Sequence, residues 1–279
     1  MTQLDKPILV IGGTGKTGRR VVQRLEALGL PTRAVSRSTS IPFDWSDAAT
    51  WDGALEGISH AYVTYSPDLA LPEAPPAIAA LARKARERGI ERLVLLSGRG
   101  EEEAQRCEQI VQGVNARWTV VRASWFAQNF SEGFLVDMVN AGSVHLPAGD
   151  VPEPFVDADD IADVVVAALT ESGHEGRIYE VTGSRMLTFA EAVAELSEAV
   201  GRPVTYQQIP ADAFEGAMRA MGTPPVIVGL TRYLFETVLD GRNAHVTPGV
   251  QQALGRPARD FSEYLRTAVA SGAWSTEGS

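Results

Sequence analysis

The sequence predicts an α/β chain: a doubly wound parallel sheet followed by a smaller, mostly helical carboxyl-terminal lobe. Three observations carry this. Short, continuous apolar runs alternate with longer amphipathic segments up to residue 122. The first apolar run ends directly in glycines. After Ser124 the alternation loosens, and from 210 onward the pattern is helical, punctuated by Pro224-Pro225 and Pro248-Gly249.

PILVI (7–11) has the uninterrupted apolar character of a strand buried on both faces of a sheet. Val21, Val22, Leu25 and Leu28 recur at helical spacing across 17–29. TRAVS (32–36) and HAYVTY (60–65) read as strands on either side of a helix near 47–56. Ile78, Leu81 and Ala85 mark the inner face of a helix over 75–88. LVLLS (93–97), a helix over 102–113 and WTVVR (118–122) complete the series. Parallel strands joined by helices require right-handed crossovers, hence the doubly wound sheet. Beyond it the expected elements are a helix over 126–140, a turn at 148–154, a helix over 158–171, a strand over 177–183 and a helix over 188–200. Residues 1–182 are expected to form a dinucleotide-binding core, with some pocket elements from 124–155. Residues 183–279 are expected to form a substrate lobe packed with that core as one unit.

The 279 residues carry a formal charge of −10, which argues against a nucleic-acid footprint. The basic stretch around 83–88 alternates Arg with Glu on a helix and reads as a solvated face. No apolar run approaches the roughly 18 residues of a membrane span. The amino terminus lacks the pattern of a secretory signal. The single cysteine, Cys107, excludes an internal disulfide and a multi-cysteine metal site, and its helical spacing with Ile110 and Val111 reads as a structural thiol. The expectation is a cytoplasmic protein, monomer or homodimer, with no metal, no membrane and no nucleic-acid partner.

Residues 10–20, VIGGTGKTGRR, overlay two phosphate-binding signatures. A P-loop ending in Gly15-Lys16-Thr17 needs a glycine where Val10 stands inside the apolar run. Gly13, Gly15 and Gly18 instead form a G-x-G-x-x-G fingerprint between a strand and a helix, the context of a Rossmann dinucleotide site. A carboxylate at the end of the second strand would hold the ribose 2′-hydroxyl of NAD, but that end reads Val35-Ser36-Arg37-Ser38. Arginine there suits the 2′-phosphate of NADP(H), with Lys16 or Arg19 as added charge.

The chain resembles the NmrA-like family of atypical short-chain dehydrogenases. Gly12, Gly15 and Gly18 match the family's G-x-x-G-x-x-G loop, and WTVVRASWFAQNF (118–130), PFVDADDIADVVVAAL (154–169) and the segment 176–210 carry the likeness further. The ending over 253–274 is similar to the ergot-alkaloid reductase-like branch. Cofactor contacts are expected from Gly12, Thr14, Gly15, Lys16, Thr17, Gly18, Arg37, Asp44, Tyr65, Ser66, Ser97 and Ser124, of which the resemblance implies the three glycines, Asp44, Tyr65, Ser66, Ser97 and Ser124. It implies a substrate pocket from Trp125, Phe126, Asn129 and Phe130. Phe126 and Phe130, at i and i+4, also read as helix core, and Asp44 as a helix cap. The acids of DADDIAD (157–163) read as a helix start, with Asp157 or Asp159 as cap.

The Tyr-x-x-x-Lys pair of typical short-chain dehydrogenases is missing: the chain has only Lys6, Lys16 and Lys84, none four residues after a tyrosine. Alcohol–ketone chemistry, which needs that proton relay, is disfavoured. Acceptors that are already electron-poor survive, so the expected activity is an NADPH-dependent hydride transfer to a small electrophilic acceptor, an iminium, imine or quinone, in secondary metabolism and without a Tyr-x-x-x-Lys relay. Ser97, Asn129 or a water are candidate proton donors; Glu103 or Glu108 could stabilise a cation, though acids on a charged helix read first as solvated. The competing expectation is an NADP(H)-binding redox sensor without turnover.

Overall fold

The computed structural model describes residues 6–115 and 117–274. Its strands are β1 (Ile8–Ile11), β2 (Thr32–Val35), β3 (His60–Val63), β4 (Arg92–Gly98), β5 (Trp118–Ala123), β6 (Ser143–Leu146), β7 (Arg177–Val181) and β8 (Thr205–Gln208). Six of them form one sheet in the order β2-β1-β3-β4-β5-β7, and every pairing is parallel. β1 and β3 are buried along their whole length, which is why their sequences are apolar without alternation. From β1 the chain goes first to β2 on one side and then to β3 on the other. The crevice at the carboxyl ends of β1 and β3 is therefore the switch point at which open α/β sheets bind ligands.

Two compact units divide the chain. The first gathers the residues through Ala123, Ala158–Val181 and Pro248–Arg256; the second holds Ser124–Asp157, Thr182–Thr247 and the chain from Pro257. The chain changes unit between Val181 and Thr182, and 124–157 belongs with the second unit and 248–256 with the first. Each unit has its own core. Leu9, Ile11, Val35, Ile78, Leu93 and Leu95 are central to the first, and Phe130, Phe155, Phe189, Leu196 and Phe261 to the second.

Several elements differ from the sequence expectation for local reasons. The helix expected over 126–140 is two short helices, Asn129–Glu132 and Val136–Asn140, separated at Gly133 in an extended conformation. The segment near 47–56 is a 3₁₀ turn, Ala48–Thr50, followed by a helix over Trp51–Leu55. Asp47 caps that turn by accepting the Ala49 amide at 3.0 Å. Leu28 ends the first helix and is exposed rather than inward. β6 and β8 pair in parallel inside the second unit; at four residues each they are too short for an unambiguous period.

Three of the acids of 157–163 form salt bridges. Asp159 and Asp163 pair with Arg20 and Arg24 of the helix Lys16–Ala27: Arg24 Nη2 is 2.7 Å from Asp159, and Arg24 Nε is 2.5 Å from Asp163. The buried Asp160 pairs with Arg256 at 2.7 Å. These contacts hold the helix that follows the glycine loop against the helix Ala158–Thr170. Asp157 accepts a hydrogen bond from Gln128 Nε2 at 2.7 Å inside the second unit.

Candidate active site

The loop between β1 and the helix Lys16–Ala27 is held from below. Gly12 and Gly13 both donate their amides to the Val35 carbonyl at 3.0 Å, and Gly15 donates to Gly12 O at 2.8 Å. Thr64, just past β3, donates its hydroxyl to Ile11 O at 2.9 Å. The four glycines answer different demands. Gly12 has a φ of +74°, and a side chain there would run into the Thr64 hydroxyl. A Cβ on Gly13 would lie 2.7 Å from Ala34 Cβ, and one on Gly18 would overlap the Gly12 carbonyl, only 2.7 Å from its carbon. Gly15 alone is exposed, with only Gly12 O nearby at 3.2 Å. So Gly12, Gly13 and Gly18 serve packing, while Gly15 leaves the approach to the helix start open. The first-turn amides of that helix have no acceptor within it, and the helix dipole adds positive potential there.

Thr14 is exposed beside Gly15, and Lys16 is partly exposed. Thr17 differs from the expectation: its side chain is buried beneath the loop, and Tyr62 donates its hydroxyl to Thr17 Oγ1 at 3.0 Å. Burial drives the Tyr62 phenol far above its ordinary range, so it stays neutral. Only the backbone of Thr17 remains for a ligand. Arg37 stands exposed in a turn after β2 in which the Thr39 hydroxyl accepts the Ser36 amide at 2.8 Å and donates to the Ser36 carbonyl at 2.9 Å. Asp44 accepts the Ser46 hydroxyl at 2.7 Å and its amide at 2.9 Å, which hold its carboxyl below the usual range with a smaller contribution from the charge of Arg37. It closes its own turn and caps no helix. Tyr65 packs on Trp45 with ring centroids 4.8 Å apart, Trp45 donates to Thr64 O at 3.1 Å, and Ser66 is exposed.

Ser97 is 4% exposed, and its hydroxyl donates to Glu108 Oε1 at 2.6 Å. That donor is committed, so the structure does not support Ser97 as a free proton source. Glu108 reads as a solvated acid in sequence, yet it is only 2% exposed. Arg122 explains the burial, with Nε at 2.9 Å from Oε1 and Nη2 at 2.5 Å from Oε2. Arg122 Nη1 also reaches Glu180 at 2.7 Å, and the buried Arg99 lies 3.6 Å from the same carboxylate. Ser97, Arg122 and Glu180 are in register across β4, β5 and β7, so the network is one row of the sheet near its carboxyl edge. Cys107, on the same helix as Glu108, is fully buried, and burial with Glu103 and Glu108 pushes its thiol up to about 12. Native protein treated with iodoacetamide near neutral pH should therefore stay unmodified by mass spectrometry, whereas denatured protein should gain one adduct.

In the second unit, the Ser124 hydroxyl donates to Pro154 O at 2.6 Å and is buried, so it too is committed away from a cofactor. Phe130 is 0% exposed and packed among Phe155, Phe189 and Phe261; it is core, not pocket wall. Trp125, Phe126 and Asn129 remain partly exposed. Trp125 lies against Phe189 at 5.4 Å and Phe235 at 5.0 Å, the latter on a π-helical turn over Leu234–Val238. Among the described residues no group of histidines, cysteines and acids could hold a metal ion, and no helix is long and apolar enough to cross a membrane.

Comparison with known proteins gives the same family as the loop. The model of the NmrA-like family matches residues 105–252. The chain is 35% identical to a (4-alkanoyl-5-oxo-2,5-dihydrofuran-3-yl)methyl phosphate reductase of Streptomyces griseus, over 92% of this chain and 96% of that one. It is 28% identical to the agroclavine dehydrogenase of Claviceps fusiformis, again over 92% and 96% of the two chains. The crystal structure of a Citrobacter triphenylmethane reductase complexed with NADP(H) superposes with a TM-score of 0.78 at 21% identity, covering 94% of this chain and 99% of that one. The glycine loop, the parallel sheet and these matches agree: the chain belongs to the NmrA-like family.

Proposed function

We propose that the protein is a cytoplasmic NADPH-dependent reductase that delivers hydride to a small electrophilic acceptor, an iminium or imine carbon or a quinone. The observation that carries this reading is the pairing of an open Gly15 at a helix start with an exposed Arg37 where an NAD site would place an acid. The residues fit the cofactor: the loop presents amides to a pyrophosphate, and Arg37 offers a guanidinium to the 2′-phosphate. When bound, NADPH supplies the hydride. The chain's own task is to orient that cofactor and to hold an acceptor, for which Trp125, Phe126 and Asn129 of the second unit are the candidates. Positioning of this kind supplies much of the rate when the acceptor is already electron-poor. The (dihydrofuranyl)methyl phosphate reductase and the agroclavine dehydrogenase among the relatives support an oxidoreductase of small molecules.

The test is to mix the protein with NADPH and a set of cyclic imines, iminium salts and quinones while following the nicotinamide absorbance. Oxidation with at least one acceptor is expected. Tight NADPH binding with no oxidation across the set would overturn the reductase reading in favour of a redox sensor. Arg37→Ala should weaken NADPH by about 10- to 100-fold, the worth of charged hydrogen bonds, and leave NADH nearly unchanged. Equal losses for both cofactors, measured by fluorescence titration, would remove Arg37 from the 2′-phosphate site.

A further inference from the structure

The helix Glu102–Val114 offers neither tyrosine nor lysine, yet a buried acid stands at its start. Glu101 is 9% exposed, and its carboxyl group lies over Gly98, the last residue of β4, in space that a side chain at 98 would fill. Asp68, on the segment after β3, hydrogen-bonds the Glu101 side chain and accepts the Ala70 amide on Oδ1 at 2.8 Å. The two carboxyl groups thus join the carboxyl ends of β3 and β4, two residues from Ser66 on one side and four from Ser97 on the other.

Among the described residues, the charged side chains that act on the pair from outside it are acidic. Glu108 faces Glu101 from the same helix, and Arg122 and Arg99 are engaged by Glu108 and Glu180. Tyr65 and Glu73, on the segment that carries Asp68, and Cys107, on the helix that Glu101 opens, bring no positive charge. Burial comes first in raising Glu101 well above the carboxylate range, and the negative charge of Asp68, the hydrogen bond to it and Glu108 push the same way. Burial also raises Asp68, but the Ala70 amide and the hydrogen bond from Glu101 favour its ionised form. Two carboxyl groups in contact, Glu101 buried and Asp68 partly exposed, resist ionising together near neutral pH, so one proton stays, with Glu101 as donor and Asp68 as acceptor.

We propose that Asp68 and Glu101 store the proton that a neutral acceptor must take up as hydride reaches it, in place of the missing tyrosine–lysine relay. The proposal rests on the reductase reading. In the step, hydride forms a new bond to the acceptor, and the electron pair of the acceptor's double bond moves onto its heteroatom. The heteroatom takes the Glu101 proton, directly or through water, leaving two carboxylates. Asp68 is partly exposed, and the pair recovers its proton from solvent. An iminium cation needs hydride alone, so the pair matters for quinones and not for iminium ions.

The test compares wild type with Glu101→Gln and Asp68→Asn on naphthoquinone and on N-methyl dihydroisoquinolinium, with NADPH dissociation constants as a check on folding. Glu101→Gln should lower kcat on the quinone by about 100-fold or more, the usual reach of general acid catalysis. It should leave kcat on the iminium within about twofold, and NADPH affinity unchanged. Infrared difference spectra of the cofactor-free protein should show a protonated carboxyl stretch that persists through neutral pH and is lost in Glu101→Gln. Absence of that band, or equal effects of Glu101→Gln on both acceptors, overturns the proposal. Wild-type protein that oxidises NADPH with neither acceptor overturns the reductase reading, and proton delivery with it. Turnover that both variants leave unchanged overturns proton delivery alone.

Discussion

Gly18→Ala should weaken NADPH binding and destabilise the fold, whereas Gly15→Ala should weaken binding and leave the fold intact. The contrast follows from what a methyl group meets at each position. At residue 18 it overlaps the Gly12 carbonyl and lies 3.0 Å from Gly13 Cα, both of them backbone atoms that cannot rotate away. The helix must then lift from the loop, while Gly12 and Gly13 stay tied to Val35 O and Arg20 and Arg24 stay paired with Asp159 and Asp163. Overpacking of this kind costs about 1–3 kcal/mol, and the amides lose their common aim. At residue 15 the backbone is extended, with φ −79°, and the single close atom is Gly12 O at 3.2 Å, so a methyl group fits with a small shift. It then occupies the approach to the helix start. Urea denaturation should show a lower midpoint for Gly18→Ala and a midpoint near wild type for Gly15→Ala. NADPH titration should show a loss of about tenfold or more for both, roughly the worth of one charged hydrogen bond. A Gly15→Ala protein with unchanged affinity would mean that the anion does not approach there.

Arg122→Met should destabilise the first unit by about 3–5 kcal/mol, because it strands a buried carboxylate. Glu108 would keep only the Ser97 hydroxyl, and Glu180 would keep Arg99 at 3.6 Å. Glu108→Gln should cost less, since the amide still accepts from Ser97 and Arg122 keeps Glu180. The double variant should be more stable than the sum of the two single losses, because the charge stranded by Arg122→Met is gone. Denaturation midpoints for the four proteins measure this coupling, and strict additivity would show that the row across β4, β5 and β7 is not acting as a network.

The sheet and the cofactor loop were legible because their signals are local. Strands buried on both faces are continuously apolar, and a glycine fingerprint between a strand and a helix needs no distant partner to be recognised. The site residues were less legible. Ser97, Ser124 and Thr17 are hydroxyls at the expected places, but Glu108, Pro154 O and Tyr62 occupy them, and each of those partners comes from a separate part of the chain. Phe130 and Phe126 look alike in sequence, and only the convergence of Phe155, Phe189 and Phe261 makes Phe130 core.

Residues 101–108 show the division most clearly. An acidic helix without a tyrosine–lysine relay can be read from the residue order alone, because helix formation and the absence of a residue type are local facts. The burial of Glu108 against Arg122 and the meeting of Glu101 with Asp68 arise only when the chain folds. The protonation and burial of a carboxyl group depend on which charges the folded chain brings within a few ångströms of it, and those come from strands and loops far away in sequence.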